Sequence, residues 1–440
     1  MIDLAAQAVR CRKCGQVYPR LGAIPVLLPE PLDYFASCSR QLAALEKQVD
    51  RVVQDVQEQL RSADLLPSTR KRCRAIIEGV AGQLADVRAI LEPRLPVAAR
   101  AGAGGQSDRM PATLDHLPYL YRDWGWPPEA DSENERALAL VESVLENRCP
   151  GRMLVMGAGA CRLAYDLYHR HPDAELMVLD LDPLLFSAAH AVTHGDSLTV
   201  REANVEMGDL NQTAKEWVLS APKGPVDDAR FLFLVGDAVD PPLAPGSFDT
   251  VLTPWFIDQG PEDVRDLIST LHRMLKPGGR WVNMGPLKYS LDVPFSLRFA
   301  REELFELAER AGFRMGLWRS ENGPYLVSPL NGRGKTEWVL AFSATRLASN
   351  EPGSGEKHDP PPWLLFRHRP IPTFEGQAHF WSEAPMVRMV VSSVDGRRTL
   401  DDLAVMVAER ARQPDISMSQ VRTAVRECLR KVHPACSAAG

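Results

Sequence analysis

The sequence lacks several features that would place it in a special class of protein. No apolar run approaches the roughly eighteen residues of a membrane-spanning helix, and the first residues do not resemble a signal peptide. The net charge of −6 provides no basic footprint for nucleic acid or an anionic membrane. The eight cysteines are scattered, without the dense spacing of a disulfide framework. These absences predict a cytoplasmic protein that binds neither membrane nor nucleic acid.

What the sequence contains is the composition of a soluble globular protein, with 45% hydrophobic and 25% charged residues. A chain of 440 residues is longer than most domains that fold around a single hydrophobic core. We therefore expect two or three domains with shorter appended segments.

Two cysteines near the amino terminus are spaced like a pair of zinc ligands. Cys11 and Cys14 frame a Cys-x-x-Cys-Gly turn, a shape that aims two thiolates at one metal. A structural zinc site needs four ligands, and the next cysteine, Cys38, stands alone. Segment 1–30 resembles the second half of a zinc ribbon that has lost its first cysteine pair. The alternative is a small β-turn segment with free thiols, and we assign no metal to this protein.

Apolar residues recur at helical spacing over residues 31–100. Leu42 and Leu45 belong to one such stripe, and Pro67 interrupts the pattern. The segment is predicted to be a helical hairpin that packs on the rest of the chain or forms a homodimer. Ala98–Pro111, which contains Ala-Gly-Ala-Gly-Gly, has the composition of a flexible linker.

Strand and helix patterns alternate over residues 113–346. The predicted strands are Met153–Val155, Leu176–Leu179, Phe231–Val235, Thr250–Leu252 and Arg280–Met284, and the predicted helices include Glu133–Glu146 and Glu262–Leu275. This alternation is typical of an α/β fold with a doubly wound, mostly parallel, Rossmann-like sheet. Ser349–Pro362, rich in proline, glycine and charge, is predicted to be a second linker.

Glycines and acids follow three of the predicted strands. Gly157-x-Gly159 follows the first strand, Asp180 ends the second, and Asp237 follows the third. Glycines let the backbone approach a ligand, and an acid after the second strand can accept ribose hydroxyls. The third glycine of a dinucleotide fingerprint is replaced by Arg162. The pattern favours a nucleoside-type cofactor other than a dinucleotide.

This turn and these acids, followed by Ser247-Phe-Asp249 and Lys276-Pro-Gly-Gly279, resemble the class I S-adenosylmethionine-dependent methyltransferases. The resemblance implies S-adenosyl-L-methionine as the cofactor. It also implies that the glycine turn passes under the methionine part, that Asp180 binds the ribose, and that Asp237 and Ala238 lie at the adenine.

A narrower resemblance covers residues 113–345. Tyr121-Arg122-Asp123-Trp124, Phe256-Ile-Asp258 and Gly285-Pro-Leu-Lys-Tyr289 are similar to motifs of the carnosine N-methyltransferase family. That family methylates a histidine imidazole in a small dipeptide. The resemblance implies an N-methyltransferase whose acceptor is a related nitrogen.

By this resemblance Arg122 contacts the carboxylate of the cofactor. Asp258 and Tyr289 are then the catalytic residues and, with Ser290, bind the substrate. Simpler local roles are a surface ion pair for Arg122 and a helix N-cap for Asp258. The family has a histidine where this chain has Ser290, and its tyrosine near the last strand has no counterpart in register, although Tyr325 is nearby. These departures predict an altered acceptor pocket.

Methyl transfer is an in-line displacement that depends mainly on orientation. A carboxylate that accepts one imidazole N–H sets the tautomer and makes the other nitrogen more nucleophilic, which is the role expected of Asp258. His190 and His194 are spaced to lie on one face of a helix, where packing is expected rather than catalysis.

The last segment, 363–433, is predicted to be a small α+β domain. A strand is expected at Met386–Val391, and Thr399 and Ser417 each begin a capping box ahead of a helix. The segment resembles the PqqD-like fold, which holds a leader peptide by adding a strand to its sheet. A winged-helix-like lid or dimerisation module is the alternative.

The sequence therefore predicts an S-adenosylmethionine-dependent N-methyltransferase acting on an imidazole or histidine-type nitrogen of a small molecule or short peptide. One alternative is a peptide-histidine methyltransferase that uses segment 363–433 as a leader-peptide dock. Another is a non-catalytic scaffold built on a methyltransferase fold.

Overall fold

The computed structural model describes residues 9–11, 15–96, 113–127, 132–204, 209–260, 263–291, 293–348, 360–411 and 417–433. The predicted linker at 98–111, most of the second linker and Cys14 lie outside these ranges, so the predictions for them stay open. No helix within the described ranges has the length and apolar character needed to cross a membrane.

Two short hairpins and two long helices precede the main sheet. They are β1 Val9–Arg10, β2 Val17–Tyr18, β3 Arg20–Leu21, β4 Ile24–Pro25, α1 Pro31–Gln59 and α2 Pro67–Leu91. Helices α1 and α2 pack together as the expected hairpin, and each has a proline in its first turn, where no N–H is required. Val26 bridges to Val235, and the Leu27 N–H donates to the Val235 carbonyl at 2.9 Å. The amino-terminal segment therefore extends the edge of the main sheet.

The central domain alternates strands with helices. Its first half comprises α3 Leu117–Leu120, α4 Ser132–Leu145, β5 Arg152–Met156, α5 Arg162–Arg170, β6 Glu175–Asp180, α6 Pro183–Thr193, β7 Leu198–Ala203 and β8 Ala214–Leu219. Its second half comprises β9 Phe231–Val235, β10 Phe248–Pro254, α7 Val264–Met274, β11 Leu275–Gly285, α8 Arg301–Ala311, β12 Phe313–Tyr325 and β13 Lys335–Arg346. A π-helical turn, Tyr121–Gly125, follows α3.

Seven of these strands form one sheet in the order β12-β13-β11-β10-β5-β6-β9. The five strands from β11 to β9 run parallel, and β13 pairs antiparallel with both of its neighbours. The predicted doubly wound α/β fold is confirmed. Strand order reverses between β5 and β10, and in such sheets ligands bind beyond the carboxyl ends of the strands at this switch point. The antiparallel pairs β7–β8 and β12–β13 were missed from sequence.

The carboxy-terminal region contains α9 Pro362–Leu365, α10 Pro385–Ser392, α11 Leu400–Ala411 and α12 Met418–Val432. The prediction of a strand at Met386–Val391 was wrong, because these residues lie in α10. Pro385 starts that helix, and buried Val390 and Val391 pack towards α12. Within the described residues beyond 360, the β-structure is one isolated bridge, so the α+β prediction fails there.

Both predicted capping boxes are confirmed. The Asp402 N–H and the Gln420 N–H each donate to the hydroxyl three residues earlier, at 3.2 Å, and the Asp402 and Gln420 side chains accept from the Thr399 and Ser417 N–H groups. The two helices begin where these hydroxyls satisfy the first N–H groups.

Ion pairs attach the carboxy-terminal helices to the central domain. Arg426 of α12 contacts Asp266 at 2.9 Å and Asp263 at 3.4 Å, and Arg422 contacts Asp240 at 2.8 Å. The Arg426, Asp263 and Asp266 side chains are only 7%, 10% and 11% exposed. Their charges are therefore screened little by solvent.

We expect Arg426→Ala to destabilise the protein by about 3 kcal/mol, because it leaves the buried Asp266 carboxylate without its cation, whereas Asp263 keeps its ion pair with Arg265. The control is Arg430→Ala on the same helix, which removes an exposed pair with Glu427 and should cost much less. Urea unfolding measures both losses. Equal losses would show that the buried pairs do not hold the two parts together.

Candidate functional site

A cavity of about 1110 Å³ lies at the carboxyl ends of the central parallel strands. All nine residues predicted for the site line it, namely Arg122, Gly157, Gly159, Asp180, Asp237, Ala238, Asp258, Tyr289 and Ser290. Pockets for one small ligand usually measure about 300–1,000 Å³. This cavity therefore has room for a cofactor and a small acceptor together.

The glycine turn after β5 is held in a left-handed conformation that favours glycine. Gly157 and Gly159 have φ angles of 72° and 54°. A Cβ on Gly157 would lie 2.3 Å from Cδ2 of Phe256, so a side chain would clash as well as strain the backbone. The Gly157 N–H donates to the Leu179 carbonyl at 2.9 Å, which ties the turn to the end of β6.

Asp180 and Asp237 lie at the ends of the neighbouring strands β6 and β9. The Asp180 carboxylate accepts backbone N–H groups from Gly159, Leu181 and Asp182 at 2.7–2.8 Å, and burial raises its pKa. Asp237 accepts the Val239 N–H at 2.8 Å through Oδ1. Each carboxylate is oriented by the backbone and keeps lone pairs available for hydroxyl or amine donors in the cavity.

Asp258 lines the cavity, and one oxygen of its carboxylate makes no hydrogen bond of regular geometry. It is 3% exposed, and Oδ2 accepts the Lys288 N–H at 2.9 Å, whereas Oδ1 is buried without a partner among the described residues. Burial raises the pKa of this carboxyl. The helix-cap role is wrong for Asp258, because Asp263 caps α7 by accepting the Arg265 N–H.

The Tyr289 hydroxyl is a second buried polar group of this cavity, and it makes no hydrogen bond of regular geometry with the described residues. Burial raises the pKa of the phenol, which keeps it protonated. Ser290 is exposed at the rim. A native fold seldom leaves two such atoms unpaired in one cavity, which points to a polar ligand.

Arg122 is fixed by an ion pair at the other side of the cavity. Its Nη2 lies 2.7 Å from Asp123 Oδ1, and its guanidinium lies 5.6 and 5.8 Å from the ring centres of Tyr119 and Tyr325. The pair predicted as a local alternative exists, but it is buried and not on the surface, since the Arg122 side chain is 15% exposed. Burial lowers the pKa of Arg122, but the Asp123 carboxylate raises it by more. The pKa therefore lies above its ordinary value, and the guanidinium stays charged.

Several residues of the cavity wall were missed from sequence. The Trp255 ring stacks on Tyr325 at 4.2 Å, and Trp255 has a left-handed φ of 51°. Gly285 permits this conformation, because a Cβ there would lie 2.9 Å from the Trp255 backbone. The Glu133 carboxylate accepts the N–H groups that follow Tyr325 and so holds the end of β12. The antiparallel edge of the sheet thus brings Tyr325 to Arg122.

His190 and His194 pack as expected. Their rings stack at 4.0 Å, both lie against Phe233, and neither lines the large cavity. Within the described ranges, no group of three or more histidine, cysteine, aspartate or glutamate side chains could hold a metal ion.

A family model described as Carnosine N-methyltransferase matches residues 200–329. Carnosine N-methyltransferase unmet of Drosophila melanogaster is 38% identical over 95 residues, which are 21% of this chain and 20% of that protein. Ubiquinone/menaquinone biosynthesis C-methyltransferase UbiE of Dinoroseobacter shibae is 29% identical over 136 residues, or 31% of this chain and 42% of that protein. The matched part of this chain spans about a fifth of the length of the first curated relatives.

Solved structures that match part of this chain include phosphoethanolamine N-methyltransferase 2 of Haemonchus contortus in complex with S-adenosyl-L-methionine. The TM-score is 0.36 at 18% identity, and the match covers 56% of this chain and 61% of that chain.

We expect Gly157→Ala to destabilise the protein by about 1–3 kcal/mol more than Gly224→Ala, because only the first introduces an overpacked contact. Gly224 also has a positive φ, 93°, but no atom lies within 4 Å of a Cβ placed there. Comparing the two variants therefore separates the effect of the clash with Phe256 from the backbone strain that both sites share. Thermal unfolding measures the difference, and equal losses would contradict the predicted clash.

Proposed function

We propose that this protein is an S-adenosylmethionine-dependent N-methyltransferase whose acceptor is an imidazole or histidine-type nitrogen of a small molecule or short peptide. The observation that carries the proposal is the position of the unpaired Asp258 oxygen, which shares one cavity with the glycine turn, Asp180 and Asp237. The family match over residues 200–329 supports it, since that range includes Asp237, Asp258 and Tyr289.

The residues of the cavity fit this cofactor. Gly157 and Gly159 carry no side chain that would keep a ligand from the backbone of the turn, and Asp180 and Asp237 would accept donors from the ribose and the adenine. Ala238 would line the adenine end, and Arg122 would face the carboxylate of the methionine part. When bound, the cofactor supplies a methyl group on a sulfonium, which a neutral nitrogen can attack without prior activation.

Asp258 would orient the acceptor. A neutral imidazole has one N–H and one lone pair, and donating that N–H to Oδ1 would aim the lone pair away from Asp258 into the cavity. The Lys288 N–H keeps the carboxylate in place through its other oxygen. Because burial raises its pKa, Asp258 is also better suited than an exposed aspartate to accept the proton that the methylated ring loses.

The structure bears differently on the two alternatives. A leader-peptide dock by strand addition has lost its basis, because Met386–Val391 is helical and offers no strand edge. A non-catalytic scaffold would have no need of an unpaired carboxylate oxygen and an unpaired phenol in a large cavity, each of which costs stability. We therefore favour an enzyme with a small acceptor.

We expect Asp258→Asn to lower turnover by about a hundredfold or more while leaving affinity for S-adenosylhomocysteine nearly unchanged, since only acceptor orientation and proton removal are affected. Methyl transfer to carnosine and to free histidine and calorimetry with S-adenosylhomocysteine are the two measurements. The matched control, Asp180→Asn, should weaken that affinity by roughly 5- to 150-fold, the equivalent of about 1–3 kcal/mol. Equal loss of turnover and affinity in Asp258→Asn would refute its assigned role.

The raised pKa of Asp258 has a consequence for stability. Between the ordinary and the raised pKa the folded protein binds more protons than the unfolded chain, so the contribution of Asp258 to stability falls as pH rises. We expect Asp258→Asn to gain stability relative to the wild type as pH rises from about 4 to 7. Melting temperatures over this range measure it.

Asp249 provides a control, because its pKa is shifted in the direction opposite to that of Asp258. Burial raises its pKa, but the Lys276 ammonium at 2.7 Å and the Arg152 N–H hold it below the ordinary value. Its stabilising contribution is present above the ordinary pKa and is lost as pH falls through the lowered one. Asp249→Asn should therefore lose stability relative to the wild type as pH rises to about 4 and change little above it, so its melting temperatures are measured below pH 4 as well. Parallel curves for the two variants would contradict the interpretation.

A further inference from the structure

A pair formed by a histidine and a carboxylate lies in the wall of the large cavity beside Asp180. His116 ends the 3-10 turn Thr113–His116 that precedes α3, and Asp182 comes directly before α6. Nδ1 of His116 contacts Oδ2 of Asp182, and both residues line the cavity. Neither residue belongs to the motifs that predicted the site, so the fold alone brings this pair to the cavity.

The Asp182 carboxylate is held in place by the backbone around it. Its Oδ1 accepts the Leu185 N–H at 2.8 Å and caps α6, and the Asp182 N–H donates to Oδ1 of Asp180 at 2.8 Å. A carboxylate only accepts hydrogen bonds, so its contact with His116 requires a proton on Nδ1 of the ring. Asp182 therefore sets both the orientation and the tautomer of His116.

This tautomer makes Nε2 of His116 a hydrogen-bond acceptor. A neutral imidazole carries its proton on one nitrogen and a lone pair on the other, and the two nitrogens point away from each other. Nε2 makes no hydrogen bond of regular geometry with the described residues, and it is not fully buried. Because the ring lines the cavity, its lone pair is available to a ligand there.

Asp180 by itself has too few acceptor positions for a ribose. Its Oδ1 accepts the N–H groups of Leu181 and Asp182, and its Oδ2 accepts the Gly159 N–H. A carboxylate offers about four acceptor positions, so these three bonds leave one. The ribose of the cofactor has two adjacent hydroxyl groups, and each donates one hydrogen. The second hydroxyl needs another acceptor close to Asp180.

We propose that His116 is a cofactor-binding residue, whose Nε2 accepts a ribose hydroxyl of S-adenosyl-L-methionine beside Asp180, and that Asp182 is its positioning residue. This inference rests on the cofactor of the proposed function and is independent of the acceptor. The contacts from Asp180 through Asp182 place His116 next to the acid expected at the ribose. The edge of the Tyr119 ring, at 5.8 Å, supports the imidazole, and the same ring lies 5.6 Å from the Arg122 guanidinium.

Protonation of His116 would replace this acceptor by a donor. Burial lowers the pKa of His116, but the Asp182 carboxylate, together with Asp180 and Asp115, raises it by more, so the pKa lies above its ordinary value. The neutral form with its free lone pair predominates above this pKa and is lost as pH falls through it. We therefore expect affinity for the cofactor to decrease as pH falls below neutral.

Helix α1 packs against the same turn and brings two further titratable groups to this pair, Tyr34 and Cys38. Burial raises the pKa of both, that of the Cys38 thiol to about 12, so both stay neutral near neutral pH. Of the groups in this cluster, His116 is thus the one expected to change its charge between about pH 6 and 8.

Calorimetry of the full chain with S-adenosylhomocysteine tests the role of His116. We expect the wild type to bind roughly 3- to 10-fold more weakly at about pH 6 than at about pH 8, the range expected for one net hydrogen bond. His116→Phe keeps a ring but no acceptor, so it should bind weakly at both pH values. His116→Gln offers an amide oxygen that does not titrate, so it should retain more affinity than the phenylalanine variant and show no pH dependence.

Asp182→Asn tests the positioning role. Asparagine caps a helix as well as aspartate does, but its amide donates to Nδ1 and moves the ring proton to Nε2. Affinity at about pH 8 should therefore fall as far as in His116→Phe, although the imidazole is retained. The matched control is His194→Phe, because His194 is another half-buried histidine, paired with Asp228 at 2.7 Å, and does not line the cavity. It should keep the affinity and pH dependence of the wild type.

Analogues of S-adenosylhomocysteine that lack the 2′- or the 3′-hydroxyl identify the contact. One of them should lose affinity for the wild type and show no further loss with His116→Phe, because ligand and variant then remove the same hydrogen bond. If the losses add for both analogues, His116 does not contact the ribose and the proposal fails.

The remaining outcomes are separable. No binding of S-adenosylhomocysteine to the wild type would refute the cofactor assignment and this inference together. Binding that His116→Phe and Asp182→Asn both leave unchanged would refute only the role of His116, as would a pH dependence that His116→Gln retains. A loss in Asp182→Asn without one in His116→Phe would assign the hydroxyl to Asp182 itself. If His116→Phe fails to fold, the other two variants still decide.

Discussion

Parallel pairing of β5, β6, β9 and β10 is the constraint from which the candidate site follows. Parallel strands end at the same edge of a sheet, and the reversal of strand order between β5 and β10 opens a crevice there. Gly157, Asp180 and Asp237 come directly after their strands and therefore meet at this crevice. The register of the parallel strands by itself brings these three residues to the same edge of the sheet.

The acceptor side of the cavity depends on close packing rather than on strand ends. Trp255 adopts a left-handed backbone directly after β10, and Gly285 at the end of β11 provides the space for it. Such strain persists only where surrounding structure enforces it, and it clusters at functional sites. This residue lies three positions before Asp258, whose unpaired oxygen and raised pKa each lower the stability of the fold. The same features would become useful once a donor occupies the cavity.

The carboxy-terminal helices are joined to the central domain by charge. On α12, Arg422 and Arg426 meet carboxylates of the central domain, and these pairs are balanced.

The sequence alone determined the doubly wound sheet, the order of its parallel strands along the chain, the glycine turn with its acids, and both capping boxes. Each of these rests on residues close together in the chain, where turn chemistry and periodicity act directly. The valines of Met386–Val391 misled the prediction, because β-branched residues favour strands, whereas Pro385 and packing against α12 make this segment helical.

Only the tertiary structure decided what surrounds the predicted site. Tyr325 lies some two hundred residues from Arg122 in sequence, and the antiparallel edge of the sheet brings them together. The unpaired oxygen of Asp258 and the buried ion pair of Arg122 are likewise invisible in the chain, since burial and pairing depend on distant elements. A sequence pattern specifies which chemistry a strand end can offer, but the packing around it determines which atoms remain available to a ligand.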